Sequence, residues 1–268
     1  MTTNFCFSFP QLNNVYNITS NNENSNFKLF GHENLLNGQR FTRYRTSTSS
    51  TSHKLVFDFG KQKLSADHII LARADVLERL TGQTIKIYGS SDDVIYQDID
   101  TINIQSTNFV GKDSQDLIHY LDNTYEYRFW KFVFASGLAN YHTFSKLYFS
   151  ELFDFGIEPD TFMTELEQEE TFFVSDDETT NIYQSNDNRT LYKIGFKGVS
   201  DAKLASFKTI VDKYMSAYDS FCGFLVTKSS HDLLDSKQIV HVKFETYRDT
   251  KIYYDYNSLY LECRELIG

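Results

Sequence analysis

Apolar residues recur along the first half of this chain at period two in short runs, the spacing of strands that bury one face. In Leu55-Val-Phe-Asp-Phe-Gly60 the side chains of Leu55, Phe57 and Phe59 fall on one side, and Gly60 ends the run. Comparable runs at 68–73, 84–89, 127–134 and 144–149 are separated by polar or glycine-containing turns. Many short strands without intervening helices predict a β-sandwich of jelly-roll type. Trp130 and Phe132 lie inside a nearly continuous apolar run and are predicted to be core.

The pattern changes after Phe155-Gly-Ile-Glu-Pro-Asp160, where Pro159 removes a backbone donor and an acidic stretch begins at Glu165. A boundary is expected here, with residues 1–155 forming the sandwich and residues 156–268 an α+β domain. In the second part Leu204, Phe207, Val211, Tyr214 and Tyr218 recur at three or four residues, and Ser200 can cap the helix they predict. Strands are expected at 190–196, 221–226, 239–244 and 259–265. The Asn- and Ser-rich segment 13–26 reads as a loop or arm, and the charged segment 165–188 as an extended loop that orders against a partner.

Composition narrows the functions this architecture can serve. The 24 Phe and 18 Tyr fit a strand-rich chain. A net charge of −10 argues against nucleic acid, whose binders concentrate Lys and Arg against phosphate. No apolar run approaches the roughly 18 residues needed to cross a bilayer, so no membrane insertion is expected. The N-terminus shows neither a basic segment nor a continuous apolar one, so no signal peptide is expected and synthesis is assigned to the cytoplasm. Cys6, Cys222 and Cys263 stand at no metal-ligand spacing and are expected to be reduced packing residues.

The chain carries no glycine-rich phosphate loop, nucleophile elbow, paired His on a helix or Cys-x-x-Cys. No catalytic residue, metal or cofactor is therefore assigned, and the expectation is a binding or assembly protein. Asp92-Asp93, and His231-Asp232 with Asp235, read as turns before they read as metal sites. The basic segment Arg40, Arg43, Arg45 and Lys54 stands out in an acidic protein. Its arginines can clamp a carboxylate and Tyr44 can stack on a sugar or a partner side chain; the alternative is a solvated loop.

Residues 54–153 resemble the discoidin, or coagulation factor 5/8 type C, family of galactose-binding-like sandwiches. The likeness lies in Val56-Phe-Asp-Phe-Gly60, in Ile85-Lys-Ile-Tyr-Gly-Ser-Ser-Asp-Asp93, and in the pair of segments 127–134 and 146–152. The cysteine pair and secretory signal of the family's secreted members are missing. The resemblance implies ligand loops gathered at one end, here 43–53, 73–80 and 136–142, with candidate contacts Arg43, Tyr44, Arg45, Arg73, Tyr141 and His142.

Residues 190–268 resemble the minor tail and distal tail proteins of tailed bacteriophages, through Tyr192-Lys-Ile-Gly-Phe-Lys-Gly-Val199, the helix from Asp201 to Tyr214, and Leu259-Tyr-Leu-Glu-Cys-Arg-Glu-Leu266. This implies a tail-tube-like fold and a structural subunit of a tail tip or baseplate in the virion. It would form a homo-oligomeric ring and touch tail tube, hub and tape measure, with the sandwich projecting as an adaptor or surface-glycan decoration. The alternative is a cellular carbohydrate-binding module with an accessory domain.

Overall fold

The computed structural model describes residues 5–9, 15–21, 31–35, 43–45, 52–72, 84–105, 109–110, 116–134, 143–167, 170–174, 180–184, 189–217, 221–227 and 239–266. The strands of the first half are β1 (Phe5–Ser8), β2 (Asn17–Ser20), β3 (Tyr44–Arg45), β4 (His53–Asp58), β5 (Leu64–Ala72), β6 (Thr84–Ser90), β7 (Gln97–Asn103), β8 (Phe109–Val110), β9 (Asp116–Tyr127), β10 (Phe129–Phe134), β11 (Thr143–Phe144) and β12 (Lys146–Ser150). Then follow β13 (Thr161–Glu167), β14 (Glu170–Val174), β15 (Thr180–Gln184), β16 (Arg189–Ser200), helix α1 (Asp201–Ala217), β17 (Phe221–Thr227), β18 (Ile239–Tyr253) and β19 (Tyr256–Glu265). The chain is mainly β.

Two compact units result, one of residues Cys6–Phe153 with Phe224–Val240, the other of Met1–Phe5, Asp154–Gly223 and His241–Gly268. The division expected at 155/156 has a counterpart at Phe153/Asp154, while Phe224–Val240, given to the second domain by the sequence, belongs to the sandwich unit.

In the sandwich unit an antiparallel sheet of order β2-β4-β10-β6-β7 lies against a second of order β12-β5-β9-β8, with β11-β3 as a small separate ladder. The predicted alternation is met: Leu55, Phe57 and Phe59 are buried on one face, and so are Trp130, Phe132 and Phe134. Phe149 of β12 is the hub, its ring within 5.0 Å of Phe57 and Phe132 and 5.5 Å of Trp130. The Trp130 indole keeps its hydrogen bond by donating to the Leu64 carbonyl at 3.3 Å. The other face of β5 and β12 is covered as well, since Ile70, Ala72 and Tyr148 pack with Cys6, Phe224, Val226 and Ile239.

In the C-terminal unit the antiparallel order is β18-β19-β16-β13. Tyr192, Ile194 and Phe196 of β16 and Leu259, Leu261 and Cys263 of β19 are buried. The α1 face predicted from spacing packs inward through Leu204, Phe207 and Val211. Phe207 meets Phe155 at 5.4 Å and Tyr247 at 5.7 Å. Ser200 is the helix cap, its hydroxyl accepting from the Lys203 N–H at 3.3 Å. Gly198, at φ 88°, sits where the β16–β19 register slips, a bulge that needs a residue without a Cβ penalty.

Four expectations are corrected. Segment 165–188 is not one extended loop, because β13 pairs with β16 and β14 with β15 in antiparallel ladders. Segment 13–26 contributes β2, which pairs with β4. Two strands with polar sequences, β7 and β9, were not foreseen, yet β9 joins β5 to β8. The strand expected at 239–244 runs on to Tyr253.

Candidate functional site

The sandwich has one end where β4, β6 and β12 begin and β5, β7 and β10 finish, as the pairings Phe134–His53, Thr84–Asn103 and Lys146–Ala72 show. The described residues that flank the candidate segments, Ala72, Phe134 and Thr143, lie at this end. Arg45 pairs with Thr143 and Tyr44 with Phe144, so the first arginines lie beside the residue that follows His142. Ser145 N–H donates to the carbonyl of Ala72, the residue before Arg73. Arg73, Tyr141 and His142 themselves lie outside the described residues, as do His231, Asp232 and Asp235.

Tyr44 is not the exposed stacking ring that the sequence suggested. It is fully buried, with its hydroxyl hydrogen-bonded to Ser20 Oγ at 2.9 Å and His53 Nε2 at 2.8 Å and its ring against Phe144. It anchors the β3–β11 ladder from beneath. Arg43 and Arg45 remain half-exposed, and the Arg43 carbonyl is held by the Asn34 side-chain amide at 2.7 Å. The buried Lys146 ammonium in turn donates to the Asn34 carbonyl at 2.5 Å, so a short 3-10 turn fixes the backbone that presents the arginines.

At the opposite end, the Asp92-Asp93 turn uses its oxygens internally. Asp92 Oδ1 accepts from Ser90 Oγ and from the Val94 and Ile95 amides at 2.9–3.0 Å. Those amide donors, Ile95 foremost, hold its carboxyl below the usual carboxylate range. Asp93 accepts from the Tyr96 hydroxyl. Lys131 places its ammonium 3.2 Å from the Tyr96 ring centroid and 5.0 Å from that of Tyr88, a cation–π cage that closes the turn. Val94 and Ile95 are left 79% and 71% exposed.

A hydroxyl, an imidazole and a carboxylate also line up at Ser8, His68 and Asp67. The carboxylate can only accept, which puts a proton on His68 Nδ1, 2.9 Å from Asp67 Oδ1, and leaves Nε2 to accept from Ser8 Oγ at 2.6 Å. The order is that of a hydrolytic relay, but Ser8 and His68 are fully buried and no substrate carbonyl can reach the hydroxyl. It staples β1 onto β5.

A further polar feature is a groove of about 260 Å³ on the flank of the sandwich, where β7 and β9 come side by side. Its walls are Thr101, Ile102, Asn103 and Gln105 from one side and Leu117, Ile118 and His119 from the other. His119 stands between Leu117 and Leu121 on the core-facing row of β9. Its Nε2 donates to Asp100 Oδ2 at 2.8 Å, while Asp100 Oδ1 accepts from the Thr101 amide at 2.7 Å. The pair is not legible in the sequence because neither of its strands is. Ile102 and Ile104, and Leu117 and Leu121, were the available period-two signals.

No family model and no curated protein sequence matches this chain. Family 32 carbohydrate-binding modules are among its structural neighbours in solved structures. One, CpGH89CBM32-5 from Clostridium perfringens in complex with GalNAc-β-1,3-galactose, is 12% identical over 53% of this chain and 99% of that chain, with a TM-score of 0.44. A second, the family 32 module of C. perfringens NanJ in complex with galactose, is 9% identical over 53% and 98%, with a TM-score of 0.41. A third, the CBM32-1 and CBM32-2 domains of C. perfringens ZmpB, is 16% identical over 54% and 37%, with a TM-score of 0.43. Scores and identities this low assign neither ligand nor role, and the tail-protein likeness of residues 190–268 has no counterpart among the three.

Proposed function

We propose that this chain is a non-catalytic glycan-binding protein whose sandwich unit presents its binding loops at the β4/β5/β12 end. The observation that carries this is the gathering of candidate segments by backbone pairing, Arg45 with Thr143 and Ala72 with Lys146. A rigid sandwich with loops collected at one end is a common platform for ligand recognition. Arginines set on a braced backbone supply planar donors for sugar hydroxyls or carboxylates. The sugars named for the neighbouring modules, galactose and GalNAc, are the first ligands to try. A glycan array probed with the full chain and with Arg43→Ala/Arg45→Ala tests the reading. Binding to a defined set of glycans that the double variant loses is expected; an array blank for the wild-type chain overturns it.

A structural subunit of a phage tail tip is the second reading. It rests on the tail-protein resemblance and on one feature of the C-terminal unit, the hairpin whose residues from Arg248 through Tyr256 are all exposed. Ile252, Tyr253, Tyr254 and Tyr256 stand 51–79% open there, an apolar and aromatic surface of the kind that assembly buries. Closed rings of the purified chain in negative-stain micrographs would favour this reading; a monomer at every concentration would remove it.

A further inference from the structure

β18 has β19 along one side, paired as far as Tyr253, and β17 along the other. The β17 side is covered only in part. Phe224 and Val226 of β17 pack with Ile239 at the start of β18, and a strand of seven residues cannot follow one of 15 to its far end. Every residue from Arg248 through Tyr256 is exposed, so the far part of that outer edge meets solvent. An exposed edge is a template for a further strand. The sequence along it is Arg248-Asp-Thr-Lys-Ile252, in which Thr250 stands between a negative and a positive side chain.

We propose that this edge pairs with the same edge of a second copy of the chain, antiparallel and centred on Thr250, to make a two-fold dimer. The register with β19 is unbroken from Thr246 to Lys251, so along this stretch the backbone groups that point outward belong to alternate residues. Two copies of such an edge can therefore pair only in registers centred on a residue. Centring on Arg248, Asp249 or Lys251 sets that residue's charge against its own copy, which is destabilising. Centring on Thr250 sets Asp249 against the partner's Lys251 and Lys251 against the partner's Asp249. The side chains that meet are open, Asp249 by 27% and Lys251 by 49%. Each already holds an opposite charge on α1, Asp249 with Lys208 at 2.9 Å and Lys251 with Asp201 at 2.6 Å. Pairing extends these contacts into two rows of alternating sign, each running Lys208, Asp249, the partner's Lys251, the partner's Asp201. The same register brings each hairpin tip, with the exposed Ile252, Tyr253 and Tyr254, alongside the far copy's strand and covers apolar surface. Any extended peptide could meet the backbone of this edge, but only an identical edge meets its charges twice. Such a contact closes on itself at two copies.

The inference needs no ligand, so a blank glycan array leaves it standing. Sedimentation velocity of the full chain over about a hundredfold range of concentration should show monomer converting to dimer. Asp249→Lys and Lys251→Asp each turn both opposite-charge pairs into like-charge pairs, and each should weaken the dimer about tenfold. Mixed in equal amounts, the two variants should associate as the wild type does, because one edge then carries two positive charges and the other two negative ones in facing positions. Each substitution also breaks an ion pair to α1. A loss caused by misfolding would persist on mixing, so the rescue separates the two causes. A wild-type chain that stays monomeric throughout would overturn the pairing and leave the edge to an extended segment of another protein. Dimers indifferent to both substitutions would overturn it as well, and so would a closed ring of more than two copies, which would speak for the tail-tip reading.

Discussion

In the sandwich unit the apolar faces of β4, β6 and β10 meet those of β5 and β12, whereas in the C-terminal unit the sheet β18-β19-β16-β13 packs against one helix. Sheet against sheet matches length with length, and the inner aromatics interlock around Phe149. Helix against sheet does not. The 17 residues of α1 reach about 25 Å at 1.5 Å each. The 15 residues of β18 reach about 50 Å at roughly 3.3 Å each. Residues Arg248 through Tyr256 are exposed even though the first turns of α1 reach them, with the Asp201 N–H donating to the Asp255 carbonyl at 3.0 Å and Lys208 pairing with Asp249 at 2.9 Å. Two opposed sheets bury both inner faces, while one helix beside a sheet leaves the side chains of this hairpin open.

The contrast is sharpest in Trp130→Ala, expected to destabilise the sandwich unit by about 3–5 kcal/mol. Tyr254→Ala at the hairpin tip should fall within about 0.5 kcal/mol of wild type, as exposed substitutions usually do. Denaturant unfolding of both checks this, and equal losses would mean that the hairpin is packed. Ser8→Ala comes next, at about 1–3 kcal/mol, because it strips the buried His68 Nε2 of its hydroxyl partner. A loss no larger than that of an exposed serine would show that the staple holds nothing.

Gly198→Ala should cost about 1–2 kcal/mol through its left-handed backbone alone, since no atom lies within 4 Å of the added methyl. A full-size effect on the C-terminal transition with none on the sandwich would confirm that the two units respond separately.

The smallest effect is one of pH. Arg128 donates to both Asp58 oxygens and, with burial opposing and the Gly60 amide assisting, holds that carboxyl below its usual 3.8. A depressed folded-state value contributes stability that is present above pH 3.8 and lost as the pH falls through the lower folded value. Asp58→Asn should therefore flatten the acid limb of the sandwich transition below about pH 4 and leave its neutral slope alone. An unchanged acid limb would remove the Arg128 pairing from the account.

Legibility followed the same contrast. Strands with one apolar face opposite another, such as 55–60 and 127–134, were plain in the sequence because alternation marks a strand buried on one face only. The α1 face was plain for the same reason, in Leu204, Phe207 and Val211. β9 was not, since Asp122, Asn123 and Glu126 lie exposed while its partner strand supplies the cover. Segment 165–188 was misread because its charges suggested loop, although Glu165 pairs with Lys193 at 2.6 Å across the β13–β16 ladder. Of the candidate contacts, Tyr44 shows the limit of reading by residue type. A tyrosine flanked by arginines looks exposed, yet register with Phe144 turns its ring inward. The Asp100–His119 pair was invisible for a different reason, because it exists only once β7 and β9 stand together.

The turn at Asp92 has a practical use. Its conformation is fixed from within, by one carboxylate and the amides it gathers, and the side chains of Val94 and Ile95 point outward without helping to hold it. The chain's three cysteines are all buried. Val94→Cys would thus place an accessible thiol on a rigid mount at the end of the sandwich far from the proposed binding loops, where a fluorophore or spin label could report on binding without competing for the ligand.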